Sequence, residues 1–243
     1  NQAALGMALA TLRHRSHPGI VAPAMTFSGG KVDHLAVAAG GEWFAALVAD
    51  GEGQAVVRGR RGATKTQSYP VPADGAMTLL AVSKEGHVAV AASRGPVGLL
   101  QKDGTWKASV RDFDGLRLLA WTPACELWQV TVHEVSRCDA SGADTATPIP
   151  LAGREMRSAA SPDGNSVAVG MDGGRISLFE SGVAEPKLIK GPIPAPISAL
   201  ALDATGRRVA AAWRSGDVWV NHGDGSTSAY LAGDSVLQLD FSM

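Results

Sequence analysis

One feature constrains this chain more than any other: it repeats. Short apolar stretches ending on a small or polar residue recur along it. "HLAVA" ends at Ala38, "LLAVS" at Ser83, "LLAWT" at Thr122, "RSAAS" at Ser161, "ALALD" at Asp203 and "QLDFS" at Ser242. The intervals between these anchors are 45, 39, 39, 42 and 39 residues. Self-similarity at such a period marks stacked supersecondary units, none of which can bury its apolar face alone.

Within each unit the order is constant. A turn follows the anchor, and four of the six turns carry glycine: "AGGEW", "SKEGH", "SPDGN" and "DATGR". The third copy departs, reading "TPACELWQVTV" without glycine. Next comes an apolar strand such as "WFAALVA", "HVAVAA", "SVAVGM" or "RVAAAW", then a second turn, a third strand, a last turn and a fourth strand. Alternation of period two identifies strands rather than helices. Seven Asp-Gly pairs supply hairpin turns that need a positive φ. Each unit therefore reads as four antiparallel strands, A to D.

The chain has 243 residues, 45% of them hydrophobic, which suffices for a core. Joining the C-terminus to the N-terminus gives a last interval of the same size as the others, so the repeat closes on itself after six units. The expected fold is all-β: a six-bladed β-propeller of four-stranded antiparallel blades, closed by N- and C-terminal strands sharing one blade. The alternative is a seven-bladed ring with a missing unit. The expected blades within the single domain 1–243 are 31–75, 76–115, 116–153, 154–194, 195–233, and 234–243 with 1–30. Closure leaves no long unprotected strand edge. The first residue is Asn rather than Met, which reads as a processed form or a piece of a longer protein.

These spaced copies resemble the WD40-like β-propeller superfamily, and the "SPDG" turn is similar to that of TolB-like periplasmic propellers. The repeats are degenerate. There is no Trp-Asp dipeptide, and the one Gly-His pair, Gly86–His87, falls in an A–B turn rather than the D–A loop that the resemblance implies. The hydrogen-bonded tetrad built by those family residues therefore has no counterpart here. Blades are expected to be held mainly by apolar packing. The six tryptophans, at 43, 106, 121, 128, 213 and 219, read as packing residues.

Few residues suggest chemistry. His14 and His17 have a metal-pair spacing but no further ligands nearby. His133, Glu134 and Cys138 mix ligand types, and read as a turn followed by an inert thiol. The inner strands, taken as "LAVA", "LAVS", "LALD" and "LDFS", offer only Asp203 and Asp240, too few oxygens for a divalent cation. Cys125 and Cys138 cannot form a disulfide framework. The basic stretch "RGRRGATK" (58–65) reads as a solvated turn. A net charge of −1 gives no overall field toward nucleic acid or an anionic membrane, and no apolar run reaches the length of a bilayer span.

The expected function is a non-enzymatic protein–protein interaction module or scaffold, part of a larger protein or complex. Its partner would be another protein or another domain of the same parent chain, not nucleic acid and not a membrane, and it would carry no metal or cofactor. Loops held by a rigid disc carry the binding. The face formed by the D–A and B–C loops should display Arg94, Asp112, Asp114, His133, Glu134, Asp172, Arg175, Trp213 and Arg214, with Trp213 and Arg214 as anchors. Alternatives are a metal-dependent hydrolase or lactonase acting in the channel, and an extracytoplasmic ligand-binding propeller. The compartment is left open, with the cytoplasm slightly favoured.

Overall fold

The computed structural model describes residues 31–49, 53–63, 65–72 and 76–241. The expected N-terminal strands within 1–30, the His14/His17 pair and the last anchor, Ser242, lie outside the described residues.

The described residues form twenty strands and no helix. They make five four-stranded antiparallel sheets, each a simple meander in chain order. Sheet I holds β1 (Lys31–Val37), β2 (Trp43–Ala49), β3 (Gln54–Arg60) and β4 (Gln67–Pro70). Sheet II holds β5 (Leu79–Val82), β6 (Val88–Ala91), β7 (Arg94–Leu100) and β8 (Trp106–Asp114). Sheet III holds β9 (Leu116–Trp121), β10 (Leu127–Thr131), β11 (Glu134–Cys138) and β12 (Ile149–Pro150). Sheet IV holds β13 (Glu155–Ala160), β14 (Ser166–Met171), β15 (Arg175–Glu180) and β16 (Lys187–Lys190). Sheet V holds β17 (Ile197–Leu202), β18 (Val209–Trp213), β19 (Asp217–Asn221) and β20 (Thr227–Leu231). The all-β class and the repeated four-stranded antiparallel sheet are as the sequence predicts. This arrangement is compatible with a propeller.

The repeat anchors turn out to be turn-closing groups. The Ser83 hydroxyl accepts from the His87 amide at 3.0 Å, Thr122 from Glu126 at 3.1 Å and Ser161 from Ser166 at 3.0 Å, while the Asp203 carboxylate accepts from Arg207 and Arg208. Each of these four anchors thus satisfies a backbone donor that the tight A–B turn would otherwise leave unpaired, whereas the first anchor, Ala38, has no side-chain acceptor to offer.

Successive sheets stack in chain order. Each first strand touches the first strand of the next sheet, from β1 to β17. One buried apolar cluster sits at each junction. Leu47 and Val56 of sheet I meet Val88, Val90 and Leu100 of sheet II. Leu99 and Phe113 meet Leu119 and Trp121 between sheets II and III. Trp128 and Val130 meet Val167 and Phe179 between III and IV, and Ile176 and Leu178 meet Leu200 and Trp213 between IV and V. The middle strands β6, β10, β14 and β18 are buried along their whole length; β6, β10 and β14 each have a neighbouring sheet on both sides.

Packing is not purely apolar. One side chain at each junction donates to a backbone carbonyl of the following sheet: Arg58 to Gly86 at 2.9 Å, Gln101 to Ala140 at 2.7 Å, Trp128 to Gly164 at 3.1 Å and Arg157 to Ser198 at 2.8 Å. Arg58 is 3% exposed. It therefore lies within β3, ahead of the exposed turn that begins at Arg61, and is an inter-sheet strut.

The segment expected as the last A strand, "VLQLDFSM", differs from expectation over its described part. Residues 236–241 carry no strand. Instead the Val236 carbonyl accepts from the Ser198 hydroxyl at 2.9 Å, which lays this segment beside β17.

Candidate functional site

The end of the sheets that carries the D–A links and B–C turns gathers most of the charged groups with a defined geometry. Its construction begins in the first strands. Four of the five contain one extra residue near their start, seen as a register shift against the second strand: Asp33 in β1, Arg117 in β9, Met156 in β13 and Ser198 in β17. A bulge at this point bends the strand and re-aims a side chain out of the regular alternation. Polar residues thereby enter a layer that alternation alone would fill with apolar ones.

Glu155, the first residue of β13, is the central member. Its side chain is 4% exposed, and it is the one acidic residue classed as buried among those described. Burial pushes its carboxyl above the usual value of 4.5, while Arg117, Arg157 and Arg154 pull in the opposite direction. The Arg117 Nε lies 3.8 Å from Glu155 Oε2. Arg157 is fixed by two backbone carbonyls, donating from Nε to Ser198 at 2.8 Å and from Nη1 to Met156 at 2.7 Å. Among the described residues, Arg117 donates no hydrogen bond and Arg157 Nη2 remains unused. Asp33 is otherwise engaged: Lys31 Nζ stands 3.1 Å away, Gln54 donates at 3.4 Å, and the lysine chiefly holds its carboxyl below the usual range.

Of the nine residues expected to form a partner surface, Trp213 requires a correction. It is 1% exposed, in the core between sheets IV and V, and its indole N–H donates to the Ala195 carbonyl at 3.1 Å. It closes β18 on the same side as Val209 and Ala211, and so points inward. Arg214, next in the turn, is exposed. Arg94 and Asp114 face each other across β7 and β8 at 2.8 Å, with side chains 81% and 80% exposed. Asp112, His133 and Asp172 are exposed and form no ion pair among the described residues. Arg175 donates to the Ala152 carbonyl at 3.1 Å.

The His133–Cys138 stretch does not converge into a reacting centre. Glu134 is bound by Arg111 at 2.5 Å, His133 is exposed, and Cys138 is wholly buried, with its thiol pushed up to about 12 by burial. Its sulfur accepts from the buried Gln129 amide at 3.4 Å. A thiol so raised is protonated at neutral pH and is a poor nucleophile. Among the described residues no group of three or more His, Cys, Asp or Glu side chains is placed to hold a metal ion.

A cavity of about 350 Å³ opens at the opposite end, among β1, β5, β9 and the A–B turns. Its walls mix apolar side chains such as Leu35, Val82 and Leu119 with polar groups that include Lys84, Thr122 and Asp163. Asp163 is already engaged by Ser161 at 2.6 Å and Asn165 at 2.7 Å.

Comparison with known proteins adds no name to this geometry: no family model matches the chain, and no curated protein matches it.

Arg117, Glu155 and Arg157 escaped the sequence reading. It followed the second halves of the inner strands, where alternation is clean, and passed over their starts, where bulges break it. The dense charge in "GREMR" at a strand entrance was the available signal.

Proposed function

We propose that the chain is a six-bladed, WD40-like β-propeller that serves as a protein–protein interaction module, with its partner received at the D–A/B–C end. Two apolar faces support the sixth blade. Alternation turns Leu35, Phe44, Ala46 and Val48 of sheet I away from sheet II. In sheet V it turns Ala199, Ala201, Ala210 and Ala212 away from sheet IV. One further wedge, drawn from the chain outside the five sheets, would cover both, and the contact between Ser198 and Val236 starts such a wedge beside β17.

The observation that carries the functional reading is the pair of guanidinium groups, Arg117 beside the Glu155 carboxylate and Arg157 fixed by backbone carbonyls, both with unused donors among the described residues. Donors held in place and left open are what a recognition surface offers. The partner is a separate protein or another domain of the same parent chain; both would meet this end.

The test compares the two ends. Immobilised chain is used to capture partners from its native source, alongside Arg94→Glu/Arg214→Glu at the D–A/B–C end and Arg61→Glu at the opposite end. Capture should be lost only in the first variant, with thermal melting unchanged in both. Equal capture by all three, or capture by none, would overturn the reading.

A further inference from the structure

We infer that the Arg117–Arg157 mouth takes an oxyanion, a carboxylate or a phosphate monoester, carried on an acidic segment of a partner polypeptide. The inference rests on the proposed interaction role and names the chemistry of its partner.

Charge and geometry both lead there. Arg117, Arg154 and Arg157 all act on one carboxylate, that of Glu155, so the cluster keeps a local positive excess. Glu155 is too buried to be displaced into solvent and serves as a fixed counter-charge. The Ser158 hydroxyl also acts on the Glu155 carboxylate, and the 3.8 Å separation from Arg117 Nε is an ion pair beyond hydrogen-bond length. Among the described residues Arg117 therefore has its whole donor fork available, and its side chain stands 51% exposed. Arg157 is locked in orientation by Ser198 and Met156 and still has Nη2 to give. A planar guanidinium binds carboxylate and phosphate oxygens through paired N–H donors, and does so best when its orientation is already fixed. The acid that could compete from β1, Asp33, is occupied by Lys31 and Gln54.

Three labelled peptides of one otherwise uncharged sequence test this on the full chain by fluorescence anisotropy: one carrying adjacent glutamates, one phosphoserines and one glutamines. A charged peptide should bind about tenfold or more tightly than the glutamine form. Preference between glutamate and phosphoserine then separates the two oxyanion sources. Arg117→Gln should weaken that binding about tenfold, whereas Arg61→Gln should leave it unchanged. Glu155→Gln removes the internal competitor and should tighten binding, an effect in the direction opposite to damage. That variant also decides the matter if Arg117→Gln fails to fold. The inference is overturned if neither charged peptide outbinds the glutamine form, if folded Arg117→Gln binds like the parent, if Arg61→Gln weakens binding as much, or if Glu155→Gln does not tighten it. The outcomes are separable from those for the interaction role. Partner capture that survives Arg117→Gln removes this inference and leaves the module standing, while absence of capture removes the module itself.

Discussion

At the fourth position of the A–B turns, the backbone is left-handed. Gly86, Gly164 and Gly206 hold φ of 88°, 75° and 69°, and in sheet III the place is taken by Cys125 with φ 60°. This is the one positive φ at a non-glycine among the described residues. The Cys125 amide still donates to Thr122 at 3.0 Å, as Gly164 does to Ser161 at 2.8 Å. The turn forms without its preferred residue because the anchor hydroxyl and the strands on either side hold it. A side chain in this conformation costs about 1 kcal/mol or more. Cys125→Gly should therefore raise stability by about 0.5–1 kcal/mol in a denaturant melt, once the loss of a partly buried thiol is set against the relief. The reverse change in the next sheet should be severe, since a β-carbon on Gly164 would lie 1.7 Å from the Trp121 carbonyl oxygen. A destabilised Cys125→Gly protein would mean that the thiol's contacts outweigh the backbone strain. Sequence identified these turns where glycine announced them and marked the third only as a copy without glycine, because a strained residue leaves no compositional trace.

Strands were legible wherever alternation survived. The pattern "RVAAAW" even held the evidence against an exposed Trp213, since Val209, Ala211 and Trp213 share one parity and one face. The same alternation sets Arg58 opposite Ala45, on the side of sheet I that meets sheet II. Read as composition, "RGRRGATK" is a basic turn; read by parity, its first residue is internal. Arg58 Nη1 donates to Gly86 and Gln101, and Nη2 to Lys102 and Tyr69. The Tyr69 ring lies 5.0 Å from its guanidinium carbon. Two turns of sheet II are thus gripped by one side chain of sheet I. Arg58→Leu would leave several carbonyls in a buried position without their donor, for an expected loss of about 3 kcal/mol. Arg58→Lys should recover less than half of that, because a single ammonium cannot span carbonyls that a planar fork reaches together. Urea midpoints at constant slope would report both values. A leucine variant as stable as the parent would show that apolar contacts alone join these sheets. What sequence could not supply at this scale was register. A one-residue bulge in each of β9 and β17 takes Arg117 and Ser198 out of the regular alternation, and periodicity does not mark where such an insertion falls.

Across the whole molecule, each sheet depends on its neighbours for cover, because a lone four-stranded meander exposes one apolar face on either side. Sheets II, III and IV have neighbours on both sides within the described chain, whereas I and V have one each. If the proposed sixth blade covers both outer faces, stability is a property of the closed ring and not a sum over separate units. Removing residues 1–30 should then harm sheets I and V together, although they lie at opposite ends of the sequence. The expected outcome is a lower melting temperature, loss of a single cooperative transition, and binding of a hydrophobic dye through the newly uncovered alanine and phenylalanine faces. An open stack would behave differently. Its nearest-neighbour energetics would confine the damage to sheet I, leaving sheet V protected against hydrogen exchange as before. Amide exchange in β18 therefore decides between ring and stack. Faster exchange there after an N-terminal deletion requires that the first thirty residues reach the last sheet, and unchanged exchange excludes closure.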